Sequence, residues 1–130
     1  MKRILVLGHN GMLGRTVSAY LKTLLDYEVV TISERWPDDA FKEAVRAIDV
    51  FAVINCIGRI PQKGIDEALY KSANIDLPIF LETLGVKVIH PSTDCEFSGN
   101  LPVGEKYTKT DIRDAEDEFG KSKADISALI

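Results

Sequence analysis

The most constraining feature of this chain is an apolar run that leads directly into a glycine loop and then into a helix-like segment. The run Ile4–Leu7 is followed by Gly8, Gly11 and Gly14, spaced three apart. A strand–turn–helix unit of this kind brings a helix N-terminus and bare backbone N–H groups to a phosphate, as in dinucleotide binding. Gly8 allows the turn, Gly11 lets a pyrophosphate approach, and Gly14 lets the helix pack on the strand. The predicted cofactor-binding residues of this loop are Gly8, Asn10, Gly11, Met12, Leu13 and Gly14. The alternative is a glycine-rich turn with a purely structural role.

Length and composition bound the class of protein. The 130 residues suffice for one domain with a core but are few for a complete dehydrogenase. A net charge of -4 argues against broad nucleic-acid binding. The sequence has no apolar run of membrane-spanning length and no signal-peptide pattern after Met1. Cys56 and Cys95 provide neither a disulfide framework nor a metal site. We therefore expect a reduced, cytoplasmic protein without a metal and without nucleic-acid or membrane partners.

Apolar runs alternate with helix-like stretches along the whole chain. Strands are predicted at Ile4–Leu7, Glu28–Ile32, Phe51–Cys56 and Val86–His90, and helices at Met12–Leu25, Asp38–Ala47, Ile65–Leu84 with an interruption at Pro78, and Asp114–Leu129. The strands are rich in Val and Ile without polar alternation, as in a parallel sheet covered on both faces. Their alternation with helices indicates right-handed βαβ crossovers. We predict an α/β fold, a Rossmann-type doubly wound parallel sheet, formed by residues 1–130 as one domain.

Polar residues follow the second predicted strand, where a Rossmann-type sheet binds the adenosine ribose. They are Ser33, Glu34 and Arg35. A carboxylate there can bind the ribose hydroxyls of NAD, whereas a serine and an arginine can hold the 2′-phosphate of NADP. Since both kinds of group are present, the choice between NAD and NADP stays open. A solvated turn is an equal alternative for each residue singly.

Four further segments carry a family resemblance. They are Val53–Cys56, Asn74 within Ser72–Asp76, Ser92–Phe97 and Phe119–Lys123. They resemble, in this order, the strand beside the nicotinamide, the helix asparagine, the Ser-Thr-Asp-Tyr-Val-Phe loop and the Tyr-x-x-x-Lys segment of the extended short-chain dehydrogenase/reductases. The resemblance is greatest to the dTDP-4-dehydrorhamnose reductase-like branch of sugar-nucleotide reductases and epimerases, and it covers nearly the whole chain.

The resemblance implies hydride transfer between NADP or NAD and the keto sugar of a nucleotide-sugar. In the family a tyrosine donates the proton, a serine or threonine positions the carbonyl, and a lysine lowers the tyrosine's pKa and binds the nicotinamide ribose. Carried over, Thr93 is the hydroxyl and Lys123 the cation, while Phe119 stands at the tyrosine position. The cofactor contacts implied after the third strand are Asn55, Cys56 and Ile57.

The chain departs from the family pattern in three ways. Phe119 has no hydroxyl, and losing a general acid costs about 10²–10⁴ in rate. Without the resemblance, Phe119 and Lys123 would be a core residue beside a solvated lysine. The chain ends in the helix of Lys123, so we expect it to be truncated, lacking the strands and sugar-covering segments that follow in the family. The stretch before the third strand is short, which leaves the adenine contacts open, with Trp36 and Pro37 as candidates for that edge.

These observations predict an NAD(P)-dependent sugar-nucleotide oxidoreductase whose activity as this chain is impaired. The alternative is a non-catalytic nucleotide-binding or regulatory module, and a homo-oligomer or a partner chain stays open in either case. Tyr107, in the loop before the last helix, is a further candidate to approach the site. The acidic residues near that helix either repel an anionic substrate or cap the helix, and their position favours capping. They are Asp111, Asp114, Glu116, Asp117 and Glu118.

Overall fold

A computed structural model of the protein describes residues 1–60 and 66–130. The elements are β1 (Lys2–Leu7), α1 (Met12–Lys22), β2 (Tyr27–Val30), α2 (Asp39–Ala47), β3 (Ala52–Asn55), α3 (Glu67–Lys71), a π-helical turn (Ser72–Asp76), α4 (Leu77–Glu82), β4 (Lys87–Ile89), a 3₁₀ turn (Asp94–Glu96) and α5 (Glu118–Leu129). This order confirms the predicted alternation of strands and helices. The predicted helix start at Ile65 lies outside the described residues. Among the helices of the described ranges, none is long and apolar enough to cross a membrane.

The strands form a parallel sheet in the order β2-β1-β3-β4. Leu5 of β1 is paired with Val30 on one side and with Val53 on the other. The chain therefore winds outward in both directions from the central pair, β1 and β3. The predicted Rossmann-type doubly wound sheet is confirmed, and its switch point lies between the carboxyl ends of β1 and β3.

Both faces of the sheet are covered by apolar packing. Ile4 and Val6 of β1 pack with Leu21 of α1 on one face. Leu5 and Leu7 pack on the other face against residues of β3, α2 and α4, which are Val53, Phe41, Val45, Leu77 and Leu81. Successive residues of a strand point to opposite faces, so a strand covered on both sides must be apolar throughout. The unbroken apolar run of β1 follows from this burial.

The segment after residue 66 stays helical from Glu67 to Glu82, through the π-helical turn. The interruption predicted at Pro78 is thus a local change of helix type that ends just before the proline. Pro78 lies in the first turn of α4, directly after the π-helical turn, and because it has no backbone N–H it cannot continue the helical hydrogen bonds at that point. The π-helical turn contains the buried Asn74.

Two predicted helix limits differ from the structure by three residues or more, and local hydrogen bonds explain both. Helix α1 ends at Lys22 and not at Leu25, because the backbone N–H groups of Thr23 and Leu24 bond to carbonyls three residues back and tighten the last turn. Helix α5 begins at Glu118 and not at Asp114. Asp117 caps it by accepting a 2.6 Å bond from the N–H of Gly120.

Candidate functional site

The glycine loop joins the carboxyl end of β1 to the start of α1 at the switch point of the sheet. Gly8 has φ +76°, a backbone conformation that favours glycine. A Cβ on Gly8 would lie 2.9 Å from the Cys56 carbonyl carbon, so the loop also touches the end of β3. A Cβ on Gly14 would lie 2.0 Å from the Gly8 oxygen, and glycine there brings α1 directly against the loop. Two of the three glycines are thus required by the fold itself.

Gly11 is different, because nothing in the fold requires its lack of a side chain. It is exposed and has φ -81°, and an added Cβ would meet only the Gly8 oxygen at an ordinary 3.5 Å. It is the N-cap of α1, and no side chain caps the helix there. Asn10, Met12 and Leu13 beside it are exposed. An open helix N-terminus next to a bare backbone fits the pyrophosphate of a dinucleotide.

The residues after β2 are exposed, which fits both a contact to the adenosine ribose and a solvated turn. Ser33, Glu34 and Arg35 all lie at the surface in this segment. Trp36, considered above as a cover for the adenine edge, packs inward instead. Its ring lies 5.8 Å from that of Phe41 and its indole N–H donates to the Ser72 carbonyl at 3.0 Å. Trp36 therefore belongs to the edge of the core, whereas Pro37 is exposed.

Asn55 organises the loop that follows β3. Its buried side chain accepts a 3.1 Å bond from the N–H of Ile57 through Oδ1, and its Nδ2 lies 3.4 Å from His90 Nδ1. His90 Nε2 in turn lies 2.9 Å from a carboxylate oxygen of Glu82. Cys56 is half-buried, and burial raises the pKa of its thiol, which opposes reactivity. Neither Cys56 nor Cys95 forms a disulfide bond.

Lys123 of α5 reaches across to the loops that follow β3 and β4. Its Nζ lies 3.4 Å from the Pro91 carbonyl oxygen. A Cβ built on Gly58 would lie 3.9 Å from the same Nζ and 3.4 Å from Asn74 Oδ1. Burial lowers the pKa of Lys123, and the negative charge of Glu96 opposes that shift. The structure therefore brings Lys123, Asn74 and the loop after β3 together.

Phe119 and Thr93 lie on the two segments that flank this lysine. Phe119 is one helical turn before Lys123 and is half-buried, with its ring 6.3 Å from that of Tyr70. Its carbonyl accepts a 2.7 Å bond from Ser122 Oγ, which itself accepts a 3.1 Å bond from Asn74 Nδ2. Thr93 Oγ1 accepts a 3.2 Å bond from the N–H of Cys95 at the start of the 3₁₀ turn.

Two other sequence expectations near α5 need correction. Of the acidic residues expected to cap α5, Asp117 does so, but Asp114 accepts bonds from the N–H and hydroxyl of Ser98 instead. These bonds, led by the one from the Ser98 N–H, lower the pKa of Asp114. The Tyr107 hydroxyl bonds to the same Asp114 carboxylate, and its ring stacks on Phe97 at 4.4 Å. Tyr107 therefore holds the loop that contains Phe97 and Asp114.

The sequence interpretation assigned no role to Glu96, which has a buried carboxylate beside the site. It accepts hydrogen bonds from Ser92 Oγ at 2.8 Å, from Ser127 Oγ, and from Arg113 Nε at 2.7 Å. Burial alone would raise the pKa of Glu96, but these bonds and the charge of Arg113 outweigh it and lower the pKa. The available signal was a glutamate where the family's loop motif has valine. Among the described residues, no cluster of three or more His, Cys, Asp or Glu could hold a metal.

Solved structures share this fold over nearly the whole chain. ADP-L-glycero-D-manno-heptose-6-epimerase from Helicobacter pylori matches with a TM-score of 0.88 at 13% identity, over 98% of this chain and 49% of that one. RMD from Pseudomonas aeruginosa, complexed with NADPH, matches with a TM-score of 0.76 at 18% identity, over 99% of this chain and 48% of that one. A hypothetical dTDP-4-dehydrorhamnose reductase from Sulfolobus tokodaii matches with a TM-score of 0.76 at 18% identity, over 98% of this chain and 51% of that one. The chain thus spans about half the length of each of these proteins.

Sequence comparison places the chain in a family. A search of curated protein sequences gave no match. The family model described as the NAD dependent epimerase/dehydratase family matches residues 4–129. This match agrees with the resemblance inferred from the motifs and with the fold of the sugar-nucleotide epimerase and reductase structures above. The chain belongs to the NAD dependent epimerase/dehydratase family.

Proposed function

We propose that this chain binds NADP or NAD in a single dinucleotide-binding domain and serves an oxidoreductase that acts on a nucleotide-linked sugar. The observation that carries the proposal is the glycine loop between β1 and α1. Gly11 is exposed at an uncapped helix N-terminus, at the switch point of a parallel sheet. The fold uses Gly8 and Gly14 for its own packing but leaves Gly11 open, which is the position that a pyrophosphate needs.

The proposed cofactor contacts follow the carboxyl ends of the strands. The glycine loop holds the pyrophosphate, and Ser33, Glu34 and Arg35 flank the adenosine ribose. The ordered loop at Asn55, Cys56 and Ile57 lies beside the nicotinamide. Lys123 extends to the neighbouring Gly58, and it binds the nicotinamide ribose as a cation.

The reacting centre has a positioning hydroxyl and a cation, but Phe119 offers no proton. A bound nicotinamide cofactor supplies or accepts the hydride. Thr93 hydrogen-bonds the sugar carbonyl and Lys123 stabilises negative charge nearby, whereas the residue one turn before Lys123 cannot donate. We infer a reductase related to the dTDP-4-dehydrorhamnose reductases with impaired turnover. The same phenylalanine favours a second candidate, a nucleotide-binding module without catalysis.

The test of cofactor binding uses two variants of Gly11 that keep the helix N-terminus stable. Both Asp and Asn are good N-cap residues, so Gly11→Asp and Gly11→Asn should fold at least as well as the wild type. Each side chain occupies the phosphate position, and the aspartate also repels it. We expect the wild type to bind NADPH or NADH at micromolar concentration in calorimetry, Gly11→Asn to bind more weakly, and Gly11→Asp to bind more weakly still, by more than about tenfold relative to the wild type.

Thermal unfolding of the same samples is the control for folding. Energy transfer from Trp36 to the reduced nicotinamide gives an independent signal of binding. A wild type that binds neither nucleotide, or a Gly11→Asp variant that binds as tightly as the wild type, would reject the proposed site.

A further inference from the structure

We propose that Glu96 is a positioning residue, whose carboxylate joins the segment of Thr93 to α5 and so holds Lys123 at the loop that follows β3. The inference rests on the proposed function, because it takes Lys123 as the cation that binds the cofactor. Nothing in the family motif supplies such a group, since the loop pattern that the chain resembles has valine at this position.

The carboxylate of Glu96 connects three segments that meet beside the site. One oxygen, Oε1, accepts hydrogen bonds from Ser92 Oγ at 2.8 Å and from Ser127 Oγ. The other, Oε2, accepts from Arg113 Nε at 2.7 Å. The backbone carbonyl of Glu96 also accepts a 3.0 Å bond from the N–H of Ala115. The carboxylate side chain is 5% exposed, so these bonds replace its water.

The contact with Ser127 places Glu96 on the face of α5 that carries the lysine. Phe119, Lys123 and Ser127 follow one another at intervals of four residues, so they share one side of the helix. The helix approaches the 3₁₀ turn very closely, since a Cβ on Gly120 would lie 2.1 Å from the Cys95 carbonyl oxygen. Glu96 therefore fixes α5 one turn beyond Lys123, and Gly120 allows the close approach one turn before it.

Glu96 acts on Lys123 through its charge as well as through its hydrogen bonds. Arg113 faces the carboxylate from the segment before α5, and Lys123 lies in its field from α5 itself. Hydrogen bonds from Ser127, Arg113 and Ser92 hold the pKa of Glu96 below its ordinary value despite burial, so the group stays ionised. The resulting negative charge opposes the effect of burial on the pKa of Lys123. A valine at this position could supply neither the bonds nor the charge.

The first experiment measures NADPH affinity against pH in the wild type, Glu96→Gln and Ser127→Ala. Glu96→Gln keeps the shape of the side chain and removes its charge, so the pKa of Lys123 should fall further. As the pH is raised, Lys123 should then lose its proton earlier, and NADPH affinity should be lost at a lower pH than in the wild type. Ser127→Ala keeps the charge and removes one bond. It should weaken NADPH binding about 3-fold to 10-fold at every pH without changing the alkaline pH at which affinity is lost. If Glu96 has a merely structural role, Glu96→Gln will weaken binding without changing the alkaline pH at which NADPH affinity is lost.

The second experiment measures the titration of Lys123 without any cofactor. Lysines are labelled by reductive methylation with ¹³C, and the Lys123 signal is assigned by its absence in Lys123→Arg. We expect Lys123 to titrate at a lower pH in Glu96→Gln than in the wild type, and an unchanged titration would overturn the electrostatic part of the proposal.

This second measurement separates two failures. If the wild type binds no nucleotide, the proposed function fails, and the titration of Lys123 still decides whether Glu96 acts on it. If Glu96→Gln does not fold, Ser127→Ala decides the proposal, and NADPH affinity equal to that of the wild type would overturn it.

Discussion

At the scale of single residues, Phe119 has the clearest consequence for chemistry. It shares a helix face with Lys123, and its half-buried ring packs near that of Tyr70. Phe119→Tyr adds a hydroxyl to this face, close to the cation. With NADPH and a dTDP-4-keto sugar, we expect Phe119→Tyr to consume NADPH faster than the wild type, by up to about 10²–10⁴, the usual effect of a general acid.

Phe119→Leu is the matched control for this change, because it alters the contact with Tyr70 without adding a hydroxyl. Absorbance of NADPH followed over time, with cofactor binding measured on the same samples, separates chemistry from binding. If all three proteins bind NADPH and none turns over, the missing hydroxyl at Phe119 is not by itself what limits the reaction, and the expected gain in rate is contradicted.

The residue scale also shows what the sequence could reveal of the site. Gly8, Gly11 and Gly14 were recognisable because a strand–turn–helix unit is local, and its geometry follows from neighbours in the chain. Glu96 was not recognisable as a site residue. Its burial depends on Arg113 and Ser127, which are 17 and 31 residues away in the chain. Partners of this kind depend on tertiary packing, which no local pattern encodes.

At the scale of elements, the contact between α1 and the glycine loop sets a limit on substitution. Gly14 lies in the first turn of α1, and a Cβ there would lie 2.0 Å from the oxygen and 2.6 Å from the carbonyl carbon of Gly8. These are backbone atoms, so the helix itself must move away. We expect Gly14→Ala to lower the free energy of unfolding by about 1–3 kcal/mol, despite the better helix propensity of alanine. Urea denaturation followed by circular dichroism measures the change.

Gly11→Asn is the matched control in the same loop. An added Cβ at Gly11 meets the Gly8 oxygen at 3.5 Å and displaces nothing. The unfolding midpoint of Gly11→Asn should therefore equal or exceed that of the wild type, since asparagine is a good N-cap. Equal stability of Gly14→Ala and the wild type would show that α1 can shift at little cost, contrary to the packing described here.

The limits of elements were harder to predict than their existence. The strands and helices are all present, because apolar periodicity and turn residues identify them. The start of α5 was misplaced because several acidic residues precede it, and only the geometry at Asp117 selects the cap. Trp36 was misplaced because a tryptophan after a strand can face either ligand or core. Its hydrogen bond to Ser72, a residue 36 positions away in the chain, depends on tertiary packing.

At the scale of the whole molecule, the doubly wound parallel sheet was predictable from the sequence, whereas the strand order was not predicted and comes from the structure. Unbroken Val- and Ile-rich strands require helices on both faces, and right-handed crossovers then restrict the topology. The order β2-β1-β3-β4 places the glycine loop, the loop of Asn55 and the loop of Pro91 along one edge of the sheet. The placement of Lys123 at this edge needed the family resemblance in addition, since periodicity alone describes a solvated lysine on a helix.

The stability of the whole molecule should fall in acid, and Glu96 should account for part of the fall. Its pKa is lower in the folded protein than in the unfolded chain, so the unfolded chain binds more protons as the pH drops. The stabilisation is fully present above the unfolded pKa and is lost as the pH falls through the folded value. Asp114, whose pKa is lowered chiefly by the Ser98 N–H, acts in the same direction. Urea midpoints measured between about pH 7 and about pH 3 should therefore decrease.

Glu96→Gln isolates the contribution of the buried carboxylate to this loss. It should be less stable than the wild type at neutral pH, because the charged bond to Arg113 is gone, and its midpoint should then change less toward acid. Asp114→Asn is the exposed counterpart and should show a smaller effect of the same sign, because solvent screens its charge. Parallel pH curves for Glu96→Gln and the wild type would mean that Glu96 has the same pKa folded and unfolded. The charge of Glu96, in its bonds to Ser92, Arg113 and Ser127, would then contribute nothing to the stability of the fold.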